Sequence, residues 1–473
     1  MARIVLGLKK GIRIEEVPGS GVELHLDSAV LPLKQAGPGT IKALLRLAAG
    51  GATVEELEEI ARTEDWFFSN FSRYIEKLSN LGCITWTLME ENQIVCRLAV
   101  LGAGFELCLP DISLEQRFVL SRFAYSRRLD HKTVLETPLR PVRIVLEGWL
   151  GAALWGMLAR PLNYLELSTA LPTADSAIIK LLLQLFCAAG VIQLVDRADG
   201  STREDQDIVL RQWEFHDLLF HSRSREGRQD QPLGATFRFW PEIEPLPACK
   251  PSRPGEVVAL YKPDLEQLRE EDYPFTLVLE ERRSIRDYAA EAITLRQIGE
   301  FLYRAARVKS LLPPDPERGA MCESSSRIYP GAGACHELEI YLTVGECQGL
   351  NPGLYHYDPL DHNLTKLCGE NRYTRLILKQ AENGAAKQCR SQVVFTYTAR
   401  FPRLAWKYQS IAYSLMLKDV GVLYQTMYLV ATAMDLAPCA LGSGHADWLC
   451  QAAGVNYLEE SPVGEFLLGS KRI

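Results

Sequence analysis

The chain has 473 residues, 47% of them hydrophobic and 23% charged, with a net charge of −7 at neutral pH. That length implies two or three domains, the composition is that of an ordinary globular protein, and the negative balance argues against a general attraction to nucleic acid. The opening MARIVLGLKKGIRIEE lacks the apolar core of a signal peptide, and runs such as Val145 to Leu158 are too short to cross a bilayer, so a cytoplasmic protein with no membrane partner is expected. The twelve cysteines are scattered, form no CxxC and make no zinc spacing with histidine, and HELEI at His336 lacks the second histidine of HExxH. Reduced, mostly buried thiols and no metal site are the reading.

Residues 1 to about 105 read as strands, helices and a hairpin. GVELHLD alternates as a strand does. GTIKALLRLAAGG is a helix closed by paired glycines, and TVEELEEIA opens on a capping box, Thr53 with a glutamate three residues on. WFFSNFSRYIEKLSNLG is a third helix that stops at Gly82, and CITWTL and QIVCRLAV flank the turn MEENQ. Three helices followed by a two-stranded wing is winged-helix order. The order recurs over 106–212, with VRIVLEGWLGAALWGMLARP, NYLELSTAL and SAIIKLLLQLFCAAG as helices and VIQLV as the following strand. The third helices carry only Arg73 and Lys77 in the first copy and Lys180 in the second, which supports no nucleic-acid partner. A peptide adding a strand to a sheet edge and a purely structural module are the open alternatives.

Trp213 to Arg228 is expected as a short helix with a basic end. Pro241 to Glu256 holds five prolines and reads as a linker, so 213–256 is assigned as a connector and 257–473 as the last domain. In that domain RRSIR presents Arg282, Arg283, Ser284 and Arg286, a set suited to a phosphate and equally to a solvated basic turn. Thr294 caps a helix. Gly331 and Gly333 permit close backbone approach before the strand that begins near Leu338. GLYHYDPLDHNLTKL is a hairpin around Asp358 to Asp361. Ser310 to Glu323 is an irregular insert, a lid or a disordered stretch. Trp406 to Gly444 opens with Lys407 and Tyr408, followed by a long apolar helix containing Gly421, Val422, Met427, Val430, Ala431, Ala433 and Met434, which suit a core helix or an interface helix.

RRSIRDY, SSRIYPGAGACHELEIYL, PGLYHYDPLDHNLTKL, YQTMYLVATAMDLAPCALGSG and the closing GSKRI follow one another as in nitroreductase-fold flavoenzymes. Their spacing resembles the SagB-type, McbC-like branch, the FMN-dependent azoline oxidases of ribosomal peptide biosynthesis. The long N-terminal part resembles the peptide recognition elements of the cyanobactin thiazoline oxidases. The resemblance implies an α+β chain with two winged-helix-like modules followed by a nitroreductase-like FMN domain, and a homodimer acting on an azoline-containing precursor peptide. It places Arg282, Arg283, Ser284 and Arg286 on the FMN phosphate and ribityl chain, with Lys471 or Arg472 reaching the same phosphate. Pro330, Gly331, Ala332 and Gly333 would line the ring from the partner subunit, with Ala440, Leu441, Gly442 and Gln425 also at the flavin. Lys407 and Tyr408 match the branch's catalytic Lys-Tyr; burial beside a cation-rich site would lower the lysine and favours Lys407 as base with Tyr408 as its partner, the reverse order staying open. Gly331 departs from the family, which often has serine there, and so removes one hydroxyl contact. An NAD(P)H-consuming nitroreductase and a peptide-binding scaffold with a degenerate flavin domain are the competing functions.

Overall fold

The computed structural model describes the chain except residues 1, 18–20, 27–28, 34–35, 63–68, 103, 197, 387–389 and 473. It divides into two compact units, Met1–Gln231 and Pro232–Ile473.

In the first unit, Pro38–Ala48 starts on a proline, whose missing N–H costs nothing in a first turn. Gly39 lets it approach the next helix: a Cβ there would sit 2.5 Å from the Ala61 carbonyl oxygen. Val54–Arg62 opens on the expected capping box, with Thr53 N donating to Glu56 Oε2 at 3.0 Å and Glu56 N to Thr53 Oγ1 at 3.2 Å. The third helix is described from Ser69 to Asn80; its expected start at Trp66 lies outside the described residues. The wing strands Ile84–Glu90 and Gln93–Val100 pair as a hairpin, and Ala2–Leu8 covers its other edge.

The start of the second copy differs from expectation. Val142–Leu146, read above as helix, is a strand that pairs with Gln93–Val100 and with Lys132–Glu136. Its run of Val, Ile and Val suits a pleated surface buried on both faces. Arg143 is buried in it because Glu136 lies 2.5 Å and Asp230 3.1 Å from its guanidinium. The helix begins only at Trp149, after Gly148. The first wing thereby becomes the centre of a six-stranded sheet. Helices Trp149–Met157, Tyr164–Ala170 and Ser176–Ala188 do follow in order, the second capped by Asn163 with Glu166 and the third by Asp175. Ile192–Leu194 pairs with Arg117–Leu120 and forms the outer strand of a three-stranded sheet. Its loop closes through one bridge, Val195 to Thr202, and runs into the short helix Arg203–Gln206 instead of a second wing strand.

The second unit is built on a seven-stranded antiparallel sheet in the order Val257–Ala259, Asn363–Gly369, Gly353–Asp358, Leu338–Val344, Val393–Arg400, Glu460–Ser470 and Leu436–Leu441. Alternate residues of the central strands face two different layers. Phe395 and Phe466 pack with Phe301 and Met427 of helices Leu295–Ala306 and Ala412–Ala433. Val394 and Leu467 pack with Ile377 and Leu449 of helices Arg372–Gly384 and Ala446–Ala453. Covered on both faces, these strands read as nearly unbroken apolar runs. Thr294 and Gln297 form a reciprocal cap, and the Ser310 to Glu323 insert is mainly the loop of a hairpin, Val308–Leu312 against Ser324–Arg327, with one helical turn at Pro316–Arg318.

The proline-rich stretch belongs to this second unit; the division falls at 231/232, ahead of the expected linker. Proline cannot donate to a ladder, but its neighbours' carbonyls still accept. Arg400 donates to Pro247 O at 2.9 Å and Ala248 O at 3.0 Å, Arg403 donates to Leu246 O, and Trp406 Nε1 donates to Ile243 O at 2.6 Å. The segment is a strap held by buried donors.

Candidate active site

Two clusters lie near opposite ends of helix Ala412–Ala433. At the first, helix Phe275–Glu281 ends at Arg282, and the chain runs on beside the last strands. Ile285 N donates to Pro438 O at 2.8 Å and Ala289 N to Ser470 O at 3.1 Å. This gathers Arg282, Arg283 and Lys471 around a cleft of about 340 Å³ that Glu280, Thr432 and Leu436 also line. The Arg282 guanidinium lies over the Tyr428 ring, 5.3 Å from its centroid. Tyr428 Oη is 2.7 Å from Ser284 Oγ and accepts the Ala440 N–H at 2.8 Å. Arg286 favours the ionised form of the Cys439 thiol, which burial opposes. Among the described residues, none of Arg282, Arg283 and Arg286 has a carboxylate partner. Lys471 is paired with Asp435 at 2.5 Å, and Arg472 with Asp287 at 3.2 Å, away from the cleft lining.

The expected residues are therefore brought together unequally. Tyr428, which the sequence reading passed over, binds the first group together. Its signal was a tyrosine inside an apolar helix, since a buried phenol needs a polar partner. The Ala440 N–H is occupied by Tyr428, and the Leu441 side chain packs into the layer beneath the sheet. Gly442 is exposed. Gln425 lies exposed on the helix, three residues before Tyr428 and so beside it. Of the apolar residues considered for an interface, Met427 and Ala431 are core of their own unit, while Gly421 is open.

The second cluster centres on the turn after Pro330. Ala332 N donates to Asp419 Oδ2 at 2.8 Å, which pins the turn to the helix. Gly333 has φ +56°, and a Cβ there would collide with Tyr408 Oη and sit 2.5 Å from Lys407 Nζ. Lys407 Nζ donates to the Gly333 carbonyl at 3.1 Å. Gly331 packs on His336, where a Cβ would stand 2.8 Å from Nδ1. Lys407 and Tyr408 do not begin the long helix as expected. They follow a short helix, Phe401–Ala405, and Tyr408–Gln409 pairs as a two-residue strand with Gly234–Ala235, in the segment that leads into the strap. Lys407 O accepts from Thr236 N at 3.1 Å, and Phe237 and Trp240 meet Trp406 edge-on. This segment thus positions the Lys-Tyr pair. An extended pair sends successive side chains to opposite sides, and here the two side chains close on one glycine.

Protonation differs sharply around this turn. Burial, reinforced by the acidic neighbours Cys335 and Asp419, pushes the Tyr408 phenol up. Burial, then the Asp419 charge, raises the Glu337 carboxyl to about 7. Burial with Arg327 and Arg403 nearby lowers His336 to about 3, so it is neutral at physiological pH. At Glu339, burial alone would raise the carboxyl, but Arg400 at 2.9 Å and His356 at 2.9 Å outweigh it and hold the group at about 2. Along helix Ala412–Ala433, Asp419 and Tyr428 anchor the two clusters about 14 Å apart.

Residues 279–470 match the model of the nitroreductase family, residues 118–230 that of the cyanobactin oxidase ThcOx, and residues 1–98 that of the ThcOx helix-turn-helix domain. The nitroreductase-family protein MJ1384 of Methanocaldococcus jannaschii is 29% identical over 192 residues, 40% of this chain and 86% of that protein. The microcin B17-processing protein McbC of Escherichia coli is 26% identical over 151 residues, 30% of this chain and only 50% of McbC. The E. coli microcin synthetase McbBCD complex with truncated pro-MccB17 bound contains a chain 19% identical, covering 50% of this chain and 82% of that one at a TM-score of 0.34. The second unit is thus an oxidoreductase domain of the nitroreductase-fold flavoenzymes. Ahead of it, the two N-terminal matches are to the ThcOx cyanobactin oxidase models, so the chain is similar in domain order to a cyanobactin oxidase.

Proposed function

We propose that the protein oxidises thiazoline or oxazoline rings of a ribosomal peptide to thiazole or oxazole with FMN as cofactor. The observation that carries this reading is the meeting of Lys407 Nζ and Tyr408 Oη at Gly333, on a turn without side-chain obstruction. Three guanidinium groups without carboxylate partners, together with Lys471 and the Ser284 hydroxyl, fit the FMN phosphate. Lys471 suits that role better than Arg472, because it lines the same cleft as Arg282 and Arg283. FMN, when bound, supplies the acceptor for the hydride that leaves the ring and passes the electrons to O2.

The other hydrogen leaves the ring as a proton, and Lys407 takes it at Nζ. Tyr408 keeps its proton, because burial raises its phenol, and so it orients the ring as a hydrogen-bond donor. A homodimer is supported by exposed apolar side chains in the second unit: Phe275 is 65% exposed, and Tyr413 and Leu417 lie one turn apart on the long helix. If the Pro330 turn lines the partner's flavin, Lys407 and Tyr408 must serve that flavin too, since Lys407 is bonded to the turn and Tyr408 Oη packs against Gly333. For the peptide, the support is the outer strand Ile192–Leu194 beside a groove of about 660 Å³ lined by Pro110, Ile112 and Phe118. The first wing is paired on both sides and offers no such edge.

The test is an absorption spectrum of the purified protein, followed by a thiazoline-containing peptide under air and the mass of the product. A yellow protein that removes two hydrogens per ring meets the proposal. A yellow protein inert to the peptide but bleached by NAD(P)H makes it a nitroreductase. A colourless protein that takes up no added FMN ends the flavoenzyme reading.

A further inference from the structure

Two thiols stand behind the Gly333 turn. Cys322 ends the insert hairpin's loop and Cys335 ends the turn; both are free, at 8% and 1% exposure. Each thiol shifts the ionisation of the other. One guanidinium holds Cys335 beside Glu323, the residue after Cys322: Arg403 Nε donates to Cys335 O at 3.0 Å and Nη2 to Glu323 O at 2.6 Å. Cys335 Sγ also lies 3.9 Å from Gly333 O, the same oxygen that receives Lys407.

The pair is chemically uneven. The neighbouring Cys335 thiol lowers the Cys322 thiol, against the opposing effect of burial, and Arg403 and Lys407 favour its thiolate further. The same contact and burial raise Cys335, which keeps its proton. The other cysteines with a shifted thiol all move upward on burial, Cys96, Cys187 and Cys347 to about 12. An attacking thiolate beside a protonated resolving thiol is the arrangement of a redox-active dithiol.

We propose that Cys322 and Cys335 form a redox-active dithiol of the active-site turn, closed to a disulfide by hydrogen peroxide. The Cys322 thiolate attacks one peroxide oxygen, the O–O bond breaks, and hydroxide leaves a sulfenic acid. The Cys335 sulfur then attacks Cys322 Sγ. An S–S bond forms, the sulfenic oxygen leaves, and with the Cys335 proton and one from solvent the balance is two thiols and one peroxide giving one disulfide and two waters. Closure fastens the turn that receives Lys407 to the insert hairpin. Only the origin of the peroxide, from O2 reduced in turnover, rests on the oxidase reading above. Turnover would then slow as peroxide accumulates, and a reducing cytosol would reopen the bridge.

The test treats the full-length protein with hydrogen peroxide, alkylates the remaining thiols and maps the peptides by mass. The expected result is one cross-linked peptide pair joining 322 to 335, lighter by two hydrogens, formed before any other thiol is lost and reversed by dithiothreitol. In C322S the cross-link is absent, flavin and basal turnover persist, and peroxide no longer slows the enzyme. The proposal is overturned if wild-type Cys322 stays fully alkylatable after peroxide, or is oxidised without joining Cys335. The mapping needs no azoline substrate, so it succeeds or fails independently of the proposed reaction.

Discussion

The two clusters on helix Ala412–Ala433 handle charge in opposite ways. Around Tyr428, the guanidinium groups pair with no carboxylate, although Glu280 and Glu281 line the same cleft, and the hydroxyls are satisfied by one another, so the cluster holds positive charge free for an anion. Around Gly333, one lysine faces groups that burial keeps protonated or neutral: Tyr408, Glu337 and His336. A fixed charge suits holding a phosphate, whereas a lysine among uncharged groups suits moving a proton. The difference teaches that binding and chemistry are separable in this domain and should fail separately on mutation.

The largest break is the double substitution Lys407→Ala with Tyr408→Phe. Turnover should fall by about 10²- to 10⁴-fold, the range for a lost acid–base group, while the flavin spectrum of the purified protein is unchanged; loss of colour would merge the two clusters into one. Next comes Gly333→Ala. Its Cβ would displace Lys407 Nζ, and its φ of +56° adds strain, so turnover should drop about a hundredfold with FMN affinity intact. Arg282→Ala should act the other way, weakening FMN about tenfold in a fluorescence titration while the flavin that does bind turns over normally. The smallest effect concerns pH. Glu337 is about 7 in the fold against 4.5 when exposed, so the folded state binds the extra proton between those values. Stability is greatest below pH ~4.5 from this group and declines as pH rises to ~7. Thermal melting in that window should fall by a few degrees, and Glu337→Gln should flatten the slope. A slope unchanged by Glu337→Gln would mean that the carboxyl is ionised throughout.

Local features were legible. The Thr53 and Thr294 caps, the 353–369 hairpin and the wing of the first module each depend on residues a few positions apart, and each lies where the pattern put it. The misreadings were tertiary. Val142–Leu146 resembles the start of an apolar helix until Glu136 and Asp230 supply partners for Arg143 inside a sheet. Five prolines resemble a linker until Arg400, Arg403 and Trp406 take the segment's carbonyls. In both places the deciding donors and acceptors lie far along the chain.

The order of motifs, the period of each strand and helix, and the residue types available for a phosphate and for a proton belong to the sequence alone. They follow from backbone and side-chain preferences that act over a few residues. The meetings belong to the tertiary structure. Lys407 reaches Gly333 across 74 residues, Ser284 reaches Tyr428 across 144, and Arg403 brings Cys335 beside Glu323 across a hairpin. No local preference encodes such contacts, because they form only where packing the two faces of the sheet leaves polar atoms that must find one another.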